Sequence, residues 1–163
     1  MMMQFAKGKE AEGKLEEAAR AYERAQAFES AVSLYLIKLD NAPKAFAIVR
    51  QSKCKAAAAL AARACLQRSN WPAAVEFHVL AGDVEEGWQI AQVHEAVDAF
   101  ALALPADAPK ETRFRIAAYF KDRGWHQKAA EQFRLGGNLK DCISELVAQS
   151  KYVRCVTACA PYT

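Results

Sequence analysis

Three stretches of this chain repeat one pattern of small and large residues, and that repeat restricts the fold more tightly than composition does. Residues 15–32, 71–88 and 126–143 align without gaps, 56 and 55 residues apart. Ala18, Ala74 and Ala129 fall in one column, and Ala19, Val75 and Ala130 in the next. Tyr22, His78 and Phe133 form an aromatic column, and Ala25, Ala81 and Gly136 a small one. Phe28, Val84 and Leu139 then form a large apolar column, followed by Ala31, Gly87 and Cys142. The spacing 15, 18, 19, 22 puts the apolar groups on one face of a helix. A small residue at 25, 81 or 136 allows a tight turn, after which a second helix packs on the first. This is the small–aromatic–small logic of a tetratricopeptide-like helix hairpin. A period near 55 holds two hairpins of about 27 residues each.

The expected architecture is therefore all-α: a tetratricopeptide-like α-solenoid of about six helix hairpins, occupying residues 1–163 as one segment. Twelve helices are expected, near 3–12, 15–26, 28–38, 42–52, 55–68, 71–81, 84–93, 95–104, 109–123, 126–136, 139–149 and 151–159. Local punctuation agrees. Asn70 is placed to cap the helix that carries Pro72 in its first turn. Gly82 ends that helix, and Asp83 with Glu86 makes a D-x-x-E version of the capping box for the next. Pro105 and Pro109 bracket a linker, Gly124 closes a helix, and Gly136, Gly137 and Asn138 end one helix and cap another. No run alternates with period two, so a sheet is not expected.

Hydrophobic residues make up 53% of the chain and charged residues 25%, which suits a packed protein and not a disordered one. Alanine is densest over residues 56–64; it is the best helix former and lets helices approach closely. The net charge of +3 conceals an uneven distribution. Residues 69–109 contain no Lys or Arg, whereas residues 109–163 hold 10 basic and 5 acidic side chains. An acidic middle and a basic end can steer charged partners. On charge, the 76–98 and 110–134 regions are candidate contact surfaces, with Glu85, Glu86, Trp88, Lys121 and Arg123 as candidate protein-interaction residues. Trp88 is expected to be more open than Trp71 and Trp125, whose positions at helix starts suit packing.

Catalytic, cofactor and metal residues are not expected. Five scattered cysteines (Cys54, Cys65, Cys142, Cys155 and Cys159) read as reduced, packed thiols of a cytosolic protein. Cys155 and Cys159 are four apart, the spacing of a shared helix face, but no second Cys/His pair is near to complete a zinc site. Gly8, Gly13 and Lys14 match the core of a phosphate-binding loop, yet Leu15 stands where a magnesium-binding hydroxyl belongs. Gly13 reads instead as a turn between helices. His78, His94 and His126 form no ligand motif, and His78 fills the aromatic column as a packed histidine. Neither a signal-peptide pattern nor a run of about 20 apolar residues occurs. Because neither end carries a polar cap, the segment is expected to belong to a longer solenoid or a complex.

The strings AYERAQAFESAVSLYL, KAFAIVRQSK and WQIAQVHEAVDAFA resemble the tetratricopeptide region of the large WD-repeat subunits of intraflagellar transport complex A. The resemblance covers residues 5–100 well and the rest loosely, and no propeller is present. It implies a non-catalytic scaffold in retrograde ciliary transport and ciliary cargo entry. It further implies other subunits of that complex as partners, and a place in the cytoplasm and the cilium or flagellum, at basal body and axoneme. Neither nucleic acid nor direct membrane insertion is expected. A vesicle-coat solenoid (coatomer or sorting complex) is the alternative, which would take Golgi or endosomal partners; an RNA-binding repeat protein is a weaker one, because its base-reading side chains would recur in each repeat.

Overall fold

A computed structural model describes residues 2–158, with side chains through residue 150. Every regular element among the described residues is helical. The elements are α1 (Met2–Ala11), α2 (Leu15–Arg24), α3 (Phe28–Ser33), α4 (Ala42–Ser52), α5 (Lys55–Gln67) and α6 (Trp71–Ala81). They continue with α7 (Val84–Val93), α8 (Val97–Ala103), α9 (Lys110–Asp122), α10 (His126–Leu135) and α11 (Leu139–Ala158). The chain divides into two units between Ala103 and Leu104, beside the linker bracketed by Pro105 and Pro109.

In the first unit, successive helices pair as hairpins: α1 with α2, α2 with α3, α5 with α6, and α6 with α7. Helices two apart also meet, α3 with α5 and α6 with α8, which is how one hairpin stacks on the next. The contact faces are built largely of alanine. Ala18, Ala19, Ala31, Ala45, Ala57, Ala58, Ala61, Ala62 and Ala74 have no solvent exposure. Larger groups fill the remaining space, among them Val32, Val49, Val75, Phe77 and Phe100. Two tyrosines of this core satisfy their hydroxyls across a hairpin: Tyr22 donates to Glu10 at 3.0 Å and Tyr35 to Glu23 at 2.7 Å. After α3 the helix widens into a π-helical turn over Leu34–Lys38, whose Leu39 N–H reaches back to the Leu34 carbonyl.

In the second unit α9 pairs with α10 and α10 with α11. Ile116, Ala117 and Phe120 of α9 bury against Ala129, Ala130 and Phe133 of α10. All three repeats thus bury equivalent positions: the columns headed by Ala18, Ala19, Tyr22 and Ala31 are buried in every copy. The large apolar column is not uniform, since Phe28 and Val84 are half-buried but Leu139 is 64% exposed.

The helix ends show which local signals act. The Asn70 side chain accepts from the Ala73 N–H, and the Asn138 side chain from the Asp141 N–H, contacts worth about 1 kcal/mol each. Gly82 leaves α6 with φ of 98°, a left-handed conformation that favours glycine. Two expectations fail. The Asp83 side chain makes no cap hydrogen bond, so the D-x-x-E capping box does not form. The break expected at residue 150 is also absent: α11 runs unbroken from Leu139 to Ala158, so the described residues hold eleven α-helices where twelve are expected. Ser150 and Lys151 are ordinary helix residues, and nothing there stops the backbone as Gly or Pro would. The thiols of Cys54, Cys65 and Cys142 are free. Cys65 has no exposure, and burial pushes its thiol up to about 11, so it packs as an inert apolar group. The side chains of Cys155 and Cys159 lie outside the described residues.

Gly136 illustrates how closely the hairpins approach. Its φ is −78°, which any residue adopts, so backbone conformation does not demand glycine. A Cβ there would lie 2.6 Å from Cε1 of Phe114. Gly→Ala at a compatible φ ordinarily stabilises by about 0.4–1 kcal/mol. Overpacking costs about 1–3 kcal/mol and should set the sign. Gly136→Ala is therefore expected to lower the thermal midpoint, and adding Phe114→Leu to recover part of the loss. A midpoint unchanged or raised by Gly136→Ala would show that α9 and α10 are not in this contact.

Candidate protein-interaction surface

The expected contact residues fall in both units. Glu85 and Glu86 lie in the first turn of α7, where a helix N-terminus favours negative charge, and both are exposed. Trp88, one turn on, is not the open residue expected. It is 6% exposed and packs on Phe100 of α8 with ring centroids 5.3 Å apart. The surrounding acidic stretch made it look accessible, but Trp88 shares its helix face with the buried Ala91. The tryptophans at helix starts divide differently: Trp71 is half-buried and stacks flat on His94 at 3.6 Å, whereas Trp125 is 42% exposed beside Lys128.

Lys121 and Arg123 stand at the end of α9. The Arg123 guanidinium covers the Tyr119 ring at 3.9 Å, a cation–π contact on the surface. Lys121 donates to Glu145 of α11 at 2.8 Å, and His126 of α10 meets the other oxygen of the same carboxylate at 2.8 Å. Glu145 is 2% exposed, so three helices are joined at one buried carboxylate. A second buried polar group lies on α9: Arg113, 4% exposed, donates to Gln132 at 3.1 Å and to the Pro105 carbonyl at 2.8 Å. It fastens the linker to the α9–α10 hairpin. Neither group is anticipated from charge, although Arg113 lies three and four residues before the buried Ile116 and Ala117, on their face of α9.

The second unit also exposes an apolar stripe. Leu139, Ile143, Leu146 and Val147 are 64%, 62%, 48% and 47% exposed and recur at i, i+4, i+7 and i+8 on α11. Cys142, flanking the stripe, and Glu145, across the helix from it, are buried. A contiguous apolar face of this kind suits a helix-to-helix contact, where covering each half-exposed side chain is worth about 1 kcal/mol. The stripe follows 3.6-residue periodicity in the sequence, where only Leu139 is singled out, as a member of the large apolar column. Elsewhere, Gly8 lies within α1 and Gly13 turns the chain with φ of 77°, while Lys14 pairs with Glu12. The phosphate-loop spacing is a helix end. None of the described helices is long and apolar enough to cross a membrane.

Comparison with known proteins fixes the family. The family model of the IFT140/IFT172 TPR domain matches residues 1–160. The chain belongs to this family. It is 36% identical to mouse WD repeat-containing protein 19 over 146 residues, which are 89% of this chain and 11% of that protein. The human WD repeat-containing protein 19 is 34% identical over the same extent, and WD repeat-containing protein dyf-2 of Caenorhabditis elegans is 28% identical over 102 residues, 63% of the chain and 7% of that protein. The chain thus spans about a tenth of the length of the WD repeat-containing proteins 19 and is homologous to that part of them.

The Glu145 junction has a pH signature. Burial opposes ionisation, but hydrogen bonds from Lys121 and His126 and their nearby charges outweigh it and hold the carboxyl below its ordinary value of 4.5. A lowered folded-state value stabilises the fold above about pH 4.5, and that contribution fades as pH falls through the folded-state value. Melting curves from pH 7 down to acid should show Glu145→Gln clearly less stable than the parent at neutral pH, with the gap closing below about pH 4.5. A gap independent of pH would exclude an ionised, paired Glu145.

Proposed function

We propose that this chain is a non-catalytic scaffold segment of a subunit of the intraflagellar transport complex A type, working in retrograde ciliary transport and ciliary cargo entry. Support comes from its homology to the WD repeat-containing proteins 19 and from the sequence resemblance to complex A subunits. The single structural observation behind a scaffolding role is the outward apolar stripe of α11. Stacked helix hairpins bury their small-residue faces on each other and leave other helix faces for partners.

The proposed contact is between this α11 face and an apolar helix face of another subunit of the same complex. Lys121 and Arg123, at the end of α9 in the same unit, are polar contacts separate from this stripe; Glu85 is a separate acidic contact on α7. Such an interface takes its affinity from a few covered apolar anchors, with the charges acting mainly on association rate and partner choice. Place in the cell follows from the partners: cytoplasm and cilium or flagellum.

The test uses the full-length protein reconstituted with the remaining complex A subunits. Ile143→Glu combined with Val147→Glu should reduce co-purification by about tenfold or more, since a buried unpaired charge costs more than about 1.4 kcal/mol, while the free subunit keeps its thermal midpoint. Full recovery of the variant complex would remove α11 as the contact. Failure of the unmodified chain to assemble with any of those subunits would overturn the complex A reading itself.

A further inference from the structure

We propose that His78, Asp83 and Glu86 form a binding site for a divalent transition-metal ion, built into the turn between α6 and α7. The starting point is a histidine that the fold buries without satisfying. His78 stands in the aromatic column, where its counterparts are Tyr22 and Phe133. Tyr22 sends its hydroxyl to Glu10, and Phe133 has nothing to satisfy. His78 is 7% exposed, and neither Nδ1 nor Nε2 has a hydrogen-bond partner. A buried polar group left this way costs about 1–3 kcal/mol and calls for a reason.

The reason lies in what the turn brings beside the ring. A ring nitrogen of His78, a carboxylate oxygen of Asp83 and a carboxylate oxygen of Glu86 lie within 4.8 Å of one another. Ligand atoms around a tetrahedral ion with bonds of about 2.1 Å are roughly 3.4 Å apart. Small rotations of two exposed acidic side chains close that difference. The backbone is arranged for this approach. The N–H groups of Gly82 and Asp83 both donate to the His78 carbonyl, at 3.1 and 2.9 Å, folding the turn back over the helix end. Gly87 then admits α7 close to His78: a Cβ there would stand 3.2 Å from Cβ of His78. The carboxylates are also not spent on capping, because Asp83 makes no cap hydrogen bond and the expected capping box is not formed.

One imidazole nitrogen and two carboxylate oxygens suit zinc, manganese, iron or cobalt in the divalent state better than calcium, which prefers an all-oxygen shell. Three protein ligands leave a position for water. The ion would reach the buried nitrogen from the side of the exposed acids and would clamp the end of α6 to the first turn of α7. The Lys55 ammonium, which lies near the Gly82 turn, is the nearby charge such an ion has to tolerate. Glu86 thereby gains a role as ligand instead of partner contact.

The probes are zinc and cobalt added to the metal-free full chain. One equivalent should bind, raising the thermal midpoint. The cobalt complex should show visible bands without the sulfur-to-cobalt charge-transfer absorption that cysteine ligation would give. His78→Phe keeps the column filled as Phe133 does. It and the surface pair Asp83→Asn with Glu86→Gln should each weaken binding roughly tenfold or more, with loss of the metal-induced stabilisation. Absence of binding, binding that both variants retain, or a cobalt spectrum dominated by sulfur would each overturn the site.

Discussion

Ala57, Ala58, Ala61 and Ala62 of α5 are fully buried, and against this helix lies α6, with Ala74 and Val75 fully buried in turn. Close approach of helices over methyl groups is the contact on which the remaining structure depends. It recurs at Ala18 and Ala19 in α2 and at Ala129 and Ala130 in α10. Small side chains give little apolar area each, but they lose little entropy on folding and bring the backbones near enough for wide contact. The larger groups, Phe77, Phe100 and Phe120, are buried among them and fill the remaining space. Because the three repeats bury the same small and aromatic positions, their chemistry is free to vary elsewhere.

That division explains what the amino-acid order revealed. The buried columns, the Asn70 and Asn138 caps and the Gly82 exit were all legible, since each acts within one or two helix turns. The expected break at residue 150 is absent because no Gly or Pro there interrupts α11. Trp88 is buried within its acidic stretch because its helical phase follows Ala91, and neighbouring charges on other faces do not expose it. The buried Glu145 was illegible for a different reason. Its partners Lys121 and His126 come from two other helices, and pairing across helices leaves no local pattern.

The polar contacts divide by cause. Tyr22 with Glu10 and Tyr35 with Glu23 satisfy hydroxyls that the aromatic positions force inward. Arg113 and Glu145 instead carry full charges into the second unit, and each is held by more than one partner, as buried charges require. The outward side of α11 follows the opposite rule: Leu139, Ile143, Leu146 and Val147 are apolar where solvent would favour charge. A scaffold reading accounts for that inversion, because a surface meant to be covered is selected for the covered state.

Hydroxyl-radical footprinting of the full-length protein, free and within the reconstituted complex, reads that covering directly at the side chains. Oxidation at Leu139, Ile143 and Leu146 should be strong in the free protein and fall on assembly, while Leu102, 86% exposed, serves as an internal reference. Equal oxidation in both states, or protection already complete in the free protein, would contradict a subunit contact on α11.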